Sequence, residues 1–257
     1  MTRGYEVGAE GRASLGAFAR YFEVVRSESI RVADSPLREL FQNGGLLVMR
    51  AQRVELFAAC GSLVTLQVEA SVAAVGTSSI RFVQTARVGD TVVAQNVSVA
   101  VAVDAQRKPA RVSDAVRALA TGEPVDDLRT ASERTGETFH TRAYVRPSDI
   151  DQLDHVNHGR YVDFVEDAYH HARVEQAYGE DVPDGGYAIS IEYLGETRLV
   201  PELGAERHLA IETWRTSSDA FAFELIDPVS GGRVSRAVVE ASHEVCSQRF
   251  AQRRGGF

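Results

Sequence analysis

One short stretch of the chain concentrates side chains that can do acid–base chemistry. Between Asp149 and Asn157, nine residues hold three carboxylates and one imidazole, from Asp149, Asp151, Asp154 and His155. Apolar residues at spacings of three and four follow, and they predict an α-helix that Asn157 caps. Such groups can transfer protons, and the first N–H groups of a helix can stabilise a developing negative oxygen. A polar turn ahead of an ordinary helix accounts for the same pattern, so this stretch alone does not decide between the two interpretations.

Composition limits the classes of function. The 257 residues carry a net charge of -8, which argues against a nucleic-acid partner because such binding relies on an excess of Lys and Arg. Lys108 is the only lysine, so contacts to phosphate would come from arginine or backbone N–H groups. Cys60 and Cys246 make no disulfide framework. There is no apolar run long enough to span a membrane and no apolar signal core, so we expect a cytoplasmic protein without a membrane partner.

The same order of predicted elements occurs twice along the chain. Residues 14–33 predict a helix with Ser14 as its cap, and four segments rich in Val, Ile and Thr follow as strands. Residues 104–137 have few large apolar side chains and predict a linker, with a short helix near 113–120. A strand at 138–146, the helix after Asn157 and four more strands then complete the second half.

The spacing of glycines supports a duplication. Gly44 and Gly185 precede the two sheet regions, and the hairpin glycines Gly89 and Gly231 lie almost equally far beyond them. The predicted fold is therefore α+β, with two copies of a long helix packed on an antiparallel sheet. We expect an N-terminal unit at 1–112, a linker at 113–137 and a C-terminal unit at 138–257.

Two segments carry a resemblance to a known family. "SDIDQLDHVNHGRYVDFVEDA" (148–168) and "ISIEYLGET" (189–197) resemble the acyl-acyl-carrier-protein thioesterases, whose loop has the form Asp-x-Asp-x-Asn-x-His-Val-Asn-x-x-x-Tyr. The positions that match this loop are Asp149, Asp151, His155, Val156, Asn157 and Tyr161. The resemblance implies a tandem (double) hotdog fold, related to the 4-hydroxybenzoyl-CoA thioesterase-like enzymes. It also implies a thioester hydrolase of lipid metabolism that uses no cofactor or metal and acts on a thioester of acyl carrier protein (ACP) or CoA. Two hotdogs in one chain imply a monomer that is a pseudo-dimer, or a homodimer of such chains.

The resemblance also assigns residues. It places the key carboxylate at Asp151, the active-site histidine at His155 and a further acidic residue of the site at Glu196. Asn157 is added as a helix cap that can also serve catalysis. Contacts to the substrate are expected from the start of the helix, at His158, Gly159, Arg160 and Tyr161. One departure matters, because Leu153 stands where the family has its active-site Asn.

Two other functions remain open from the sequence. A hotdog dehydratase or hydratase would act on the same thioesters, although such sites favour a different Asp-to-His spacing. A non-catalytic protein that binds acyl thioesters is the other alternative, and Leu153 is the feature that suggests it. Arg142, Arg146 and Arg160 flank the loop and are candidate contacts for an anionic carrier.

The first half shows no equivalent loop. A gapless offset of 141 residues places Glu10 opposite Asp151, Ser14 opposite His155 and Glu55 opposite Glu196. No histidine remains in that set. We therefore expect a degenerate first unit that contributes to a substrate pocket without catalysing the reaction.

Overall fold

A computed structural model describes residues 1–8, 11–123, 128–131, 133–134, 136–175, 187–200, 204 and 206–241. The chain divides into two compact units, the first formed by residues 1–54 and 58–128 and the second by residues 55–57 and those from 129 onward. Glu10, Gly185 and Cys246, which the sequence analysis names, lie outside the described residues.

The first unit is a long helix on a four-stranded sheet. After a 3₁₀ turn at Gly4–Glu6, α1 spans Leu15–Arg31 and Ser14 Oγ accepts the N–H of Ala17, as the sequence predicts. A longer 3₁₀ segment at Pro36–Gly44 leads to β1 (Leu46–Leu56), β2 (Gln67–Val75), β3 (Ser79–Val88) and β4 (Thr91–Val103). The strand order is β2-β3-β4-β1, with β3 antiparallel to β2 and β4. A short helix, α2 (Asp114–Arg117), buries Val116 in the core of this unit.

The second unit repeats the plan with one more strand. Strand β5 (Phe139–Tyr144) comes first, then a 3₁₀ turn at Pro147–Asp149 and the helix α3 (His158–Val174). Strands β6 (Tyr187–Tyr193), β7 (His208–Arg215), β8 (Ala220–Asp227) and β9 (Gly232–Ala241) follow. Their order is β6-β9-β8-β7-β5, and every neighbouring pair is antiparallel. The predicted α+β class, with one long helix and an antiparallel sheet in each half, is confirmed.

The helices form where the sequence pattern places their apolar face. In α1 the buried large side chains are Leu15, Phe18 and Phe22, which recur at spacings of three and four. In α3 the same periodicity buries Tyr161, Val165 and Tyr169, and the helix packs on β5, β6 and β9. Since the N-terminus of α3 is fixed by this packing, the loop before it has a defined direction. Within the described part of the chain, no helix is both long and apolar enough to cross a membrane.

Candidate active site

The loop between β5 and α3 is shaped by Asp149. This side chain is 1% exposed, and its two carboxylate oxygens accept the backbone N–H of Arg146 and the Nε–H of Arg160, each at 2.8 Å. Its own carbonyl accepts the N–H of Asn157, also at 2.8 Å. Asp149 therefore ties the start of the loop to its end and to the first turn of α3, and it serves structure.

Within this frame the chain makes a tight turn that presents Asp151. The N–H of Asp151 donates to the carbonyl of His155 at 2.9 Å, and the N–H of Asp154 donates back to the carbonyl of Asp151 at 3.1 Å. Asp154 adopts the left-handed conformation (φ 64°), which Asp tolerates better than most side chains. One oxygen of the Asp151 carboxylate accepts the N–H of Leu153 at 2.8 Å. That bond fixes the rotation of the carboxylate.

The other oxygen of Asp151 faces His155, which lies between two carboxylates. Its Nδ1 is 3.4 Å from Asp151 Oδ2, and its Nε2 is 4.0 Å from Glu196 Oε1. The side chains of Asp151 and His155 are 22% and 17% exposed, whereas Glu196 is 46% exposed at the rim. The structure thus brings together three of the four residues predicted to be catalytic. An imidazole held between two carboxylates can relay or donate a proton.

Glu196 reaches the site from the segment after β6. The N–H groups of Leu194 and Gly195 both donate to the carbonyl of Val234, at 2.9 and 3.1 Å, so this segment leaves the sheet at a defined point. The carbonyl of Thr197, the next residue after Glu196, accepts the N–H of Val156 at 2.7 Å. This bond links the segment directly to the loop that carries His155.

Arg198 sets the charge around Glu196. Its guanidinium lies 3.4 Å from Glu196 Oε2 and 3.7 Å from Asp154 Oδ2. These contacts are half exposed, so each contributes little to stability, but together they limit the positions that the Glu196 carboxylate can adopt.

A buried ion pair supports both segments of the site. Arg207 and Asp227, 1% and 7% exposed, form a two-pronged pair at 2.8 and 2.7 Å. The Nε–H of Arg207 also donates to the carbonyl of Arg198 at 2.9 Å, and the carbonyl of Arg207 accepts the N–H of Val145 at 2.8 Å. Burial alone would raise the pKa of the Asp227 carboxyl, but the bonds from Arg207 and from the Val229 N–H outweigh it and lower that pKa.

Asn157 occupies the helix-cap position that the sequence predicts. Its side-chain oxygen accepts the N–H of Gly159 at 2.8 Å, and its carbonyl accepts the N–H of Arg160 at 2.9 Å. Two of the first N–H groups of α3 are therefore bonded within the helix start. A catalytic role for Asn157 and a substrate contact at Gly159 stay predictions.

The other residues expected to contact substrate have clear structural roles. The guanidinium of Arg160 bonds Asp149 and also Asp163. The carbonyl of His158 accepts the hydroxyl of Tyr193 at 2.9 Å, and the two rings meet edge to face. Contacts of His158 and Arg160 with substrate stay predictions.

Tyr161 lies beneath the loop in the core. It is 3% exposed, and its hydroxyl donates to Thr197 Oγ1 at 3.0 Å. Burial raises the pKa of Tyr161 to about 12, despite the opposing effect of the Thr197 bond. Tyr161 therefore stays neutral and joins the start of α3 to the segment that carries Glu196, and a direct contact of its side chain with substrate stays a prediction.

Four further residues that support the site were not predicted from the sequence: Thr197, Arg198, Arg207 and Asp227. None of them belongs to the loop motif, and each has at least one contact with a residue that is distant along the chain. Only the pattern of a charged pair at the ends of two apolar strands, Arg207 before β7 and Asp227 at the end of β8, offers a signal. Among the described residues no group of three or more His, Cys, Asp or Glu side chains is placed to hold a metal ion.

In the first unit, the described residues ahead of α1 repeat several backbone features of this loop. The helix cap Ser14 and the left-handed Gly11 (φ 72°) lie 143 residues before Asn157 and Asp154, which have the same two roles. The strands β1 and β6 begin only 141 residues apart. The first unit therefore has two extra residues between its helix cap and its sheet, and one gapless offset cannot align both regions.

This alignment corrects the expected counterparts of the residues predicted to be catalytic. The N–H of Gly8 donates to the carbonyl of Arg12 at 3.0 Å, as Asp151 donates to His155 at 2.9 Å. Gly8 is thus the counterpart of Asp151, and Arg12 that of His155. The expected pairing of Glu10 and Ser14 with these two positions is wrong, because the glycines that suggested the offset belong to the sheet and not to the loop.

The counterpart of Glu196 also differs from the expectation. The N–H of Ala13 donates to the carbonyl of Cys60 at 2.7 Å, which matches the bond from Val156 to Thr197. Ala59 therefore stands opposite Glu196, and the expected pairing with Glu55 is wrong. Gly8, Arg12 and Ala59 provide neither a carboxylate nor an imidazole at the three positions.

Comparisons with known proteins agree with this architecture. Residues 132–233 match the family model described as the acyl-ACP thioesterase C-terminal domain. No curated protein sequence matches the chain.

Three solved structures share the fold over almost the whole chain. The 12:0-ACP thioesterase from Umbellularia californica is 19% identical, with a TM-score of 0.70 and coverage of 93% of each chain. A protein from Lactobacillus plantarum described as an oleoyl thioesterase is 14% identical, with a TM-score of 0.72 and coverage of 94% of each chain. An acyl-ACP thioesterase from Bacteroides thetaiotaomicron is 17% identical, with a TM-score of 0.66 and coverage of 93% of this chain and 94% of that one. At these identities the likeness establishes the fold, which is the predicted tandem hotdog.

The family match covers the segment that carries β5, the loop with Asp151 and His155, α3 and the segment with Glu196. It thus includes every residue of the cluster around His155. Residues 132–233 thus match a domain of the acyl-ACP thioesterases, which are thioester hydrolases.

Proposed function

We propose that the protein hydrolyses an acyl thioester carried on ACP, releasing a free carboxylic acid and the carrier thiol. The observation that carries this proposal is the placement of His155 between the carboxylates of Asp151 and Glu196, ahead of the start of α3. Hydrolysis adds a water oxygen to the thioester carbonyl carbon and breaks the C–S bond. One proton leaves the water, and one proton reaches the departing sulfur.

Asp151 is the proposed base. One of its carboxylate oxygens accepts the backbone N–H of Leu153. The second oxygen, on the side of His155, can then take a proton from water. A direct attack of the carboxylate on the carbonyl would give an anhydride and use the same oxygen. The position where the family has Asn is Leu153 here, so no side-chain amide at that position orients the water. That task passes to His155 and Glu196.

His155 is the proposed proton donor. Its Nδ1 faces Asp151 and its Nε2 faces Glu196, so a proton on either nitrogen has a carboxylate to stabilise it. The imidazole can polarise the thioester carbonyl and then protonate the leaving sulfur. Glu196, restrained by Arg198, keeps the ring in the orientation that allows both steps.

The carrier is proposed from the relatives. The matching family model is named for acyl-ACP thioesterases, and two of the similar structures are described as acting on acyl-ACP. CoA thioesters present the same reacting bond, and they are the alternative that the assay has to separate.

A matched pair of variants tests the proposal. Purified protein is assayed on ACP and CoA thioesters of graded acyl length, with Asp151→Asn and Asp154→Asn compared with the unmodified chain. Both substitutions remove one charge from the same turn, and Asn tolerates the left-handed backbone at position 154. We expect Asp151→Asn to lower kcat by about 10³-fold or more, while Asp154→Asn stays within about twofold. An unmodified chain that releases no thiol from any substrate, or an Asp151→Asn variant with full activity, would refute the proposal.

A further inference from the structure

A cavity of about 280 Å³ lies beside the catalytic loop, between β5 and α3. Its charged and polar lining comes from Arg142, Tyr144, Arg146, Arg160, Asp167 and His171. The volume is close to the lower end of the range of roughly 300–1,000 Å³ found for small-ligand sites. The cavity therefore fits one chemical group of a larger substrate better than a whole acyl chain.

Two of the three arginines in this cavity form no salt bridge within the described part of the chain. Arg160 is paired with Asp149 and Asp163, but the guanidinium groups of Arg142 and Arg146 make no salt bridge with any described residue. Elsewhere in the second unit, Arg207 and Arg236 are paired with buried carboxylates. Arg146 acts electrostatically on Asp167, whose carboxyl lines the same cavity. The guanidinium groups of Arg142 and Arg146 can still bind an anion, because their planar N–H groups match phosphate oxygens.

The cavity adjoins the reaction site through the chain itself. Arg146 immediately precedes the 3₁₀ turn that leads to Asp151, and Arg160 is the third residue of α3. A carrier arm that leaves a thioester at His155 on this side of the loop would pass the cavity. The arms of acyl-ACP and acyl-CoA share one anionic group, the 4′-phosphate of phosphopantetheine.

We infer that the Arg142–Arg146 cavity binds the phosphate of the phosphopantetheine arm and so positions the thioester for hydrolysis. This inference rests on the proposed function. Arg142 and Arg146 act as binding residues here, and neither takes part in the proton transfers. The cavity recognises the arm itself, which is common to both carriers, and not the surface of the carrier protein.

Asp167 gives the inference a second, opposite test. Its carboxyl also lines the cavity, where it opposes an incoming anion. Removing the charge of Asp167 should therefore strengthen phosphate binding, whereas removing the charge of either arginine should weaken it. If these residues served folding alone, their substitution would not change phosphate binding in opposite directions.

The experiment compares two substrates that differ only by the phosphate. The kcat/KM of the same acyl group is measured on phosphopantetheine and on pantetheine, for the unmodified chain and for Arg142→Ala, Arg146→Ala and Asp167→Asn. Arg31→Ala, at an exposed site in the first unit, controls for net charge. We expect Arg142→Ala and Arg146→Ala each to raise KM for the phosphorylated substrate about fivefold with kcat unchanged. Asp167→Asn should lower the same KM about threefold. Activity on acyl-pantetheine should stay unchanged in all of them, which shows that the loop is intact.

Each outcome separates the two proposals. An unmodified chain with equal kcat/KM on both substrates overturns the cavity inference, and so do arginine variants that lower both activities alike. Acyl-CoA and acyl-ACP should respond equally to Arg142→Ala and Arg146→Ala. A response with acyl-ACP alone would mean contact with the carrier protein and would also overturn the inference. If no thioester is hydrolysed, the hydrolysis proposal fails, and calorimetric titration with 4′-phosphopantetheine tests the cavity separately. Binding that is weakened by Arg146→Ala supports the cavity inference. Absence of binding overturns the cavity inference as well.

Discussion

Removing the charge of Asp227 tests whether a buried ion pair holds the active site together. The substitution Asp227→Asn keeps the side-chain volume and an oxygen for the N–H of Val229, but it leaves the guanidinium of Arg207 buried without a counter-charge. Loss of one partner from such a pair costs about 3–5 kcal/mol. We expect a value near the lower limit, about 3 kcal/mol, because Arg207 keeps its bonds to the carbonyls of Arg198 and His208.

Stability and activity should both respond. A loss of that size lowers the melting temperature by roughly 6–12 °C for a chain of this length. Arg207 holds the carbonyl of Arg198, which is two residues beyond Glu196. If Arg207 becomes more mobile, the Glu196 carboxylate is displaced. We therefore expect kcat/KM to fall about tenfold at a temperature where the variant is folded. The pH dependence supplies a third readout. Because the pKa of Asp227 is lowered in the folded state, its contribution is present at neutral pH and is lost as the pH falls through that folded value. Asp227→Asn should remove this part of the acid sensitivity.

Glu224→Gln is the matched control. Glu224 is also a buried acid on β8, and it pairs with Arg233 and Arg236, away from both loops of the site. The Glu224→Gln variant should therefore be less stable than the unmodified chain but have the same kcat/KM. Chemical denaturation and steady-state assays measure both quantities. A cost below about 1 kcal/mol for Asp227→Asn, or an equal loss of kcat/KM in Glu224→Gln, would refute the reasoning.

Three further predictions concern single side chains of the site. Glu196→Gln should lower kcat/KM by roughly 10–100-fold without changing the melting temperature, since the side chain is 46% exposed; full activity in the thioester assay would remove Glu196 from the mechanism. Tyr161→Phe should resist alkaline unfolding. The raised pKa of about 12 makes the unmodified chain lose roughly 2 kcal/mol of unfolding free energy between pH 10 and 12, and equal pH dependence of both proteins in denaturant titrations would contradict this. Asn157→Ala should cost about 1 kcal/mol of unfolding free energy through loss of the cap, and a loss of activity beyond that expected from unfolding would assign Asn157 a catalytic task.

The helices, most strands and the loop could be predicted because their signals are local. Ser14 and Asn157 cap their helices through neighbours two or three residues away, and the apolar spacing of α1 and α3 fixes their buried faces. The cluster of Asp151 and His155 spans a single turn. Glu196 could be predicted only through the family resemblance, because its distance to His155 depends on the path of β6.

The supporting contacts could not be predicted because they join residues that are remote in sequence. The charges of Arg207 and Asp227 at the ends of two strands are visible in the sequence, but their pairing, and the bond from Arg207 to the carbonyl of Arg198, depend on the order of β7 and β8 in the sheet. The alignment of the two halves failed for a different reason. Two additional residues between helix cap and sheet shift the loops relative to the strands, and a single offset hides such an insertion.

The twin loops bear on how this kind of enzyme can change over time. Gly11 and Asp154 take the same left-handed turn, and the same backbone bonds close both loops, although only one loop has a carboxylate and an imidazole. These backbone bonds therefore form whether or not the loop has a carboxylate and an imidazole at the positions of Asp151 and His155. Catalytic side chains can then be lost from one copy of a duplicated unit, or introduced into it, while the unit keeps its fold. Duplication gives such a protein one copy that is free to specialise in holding substrate while the other retains the reaction.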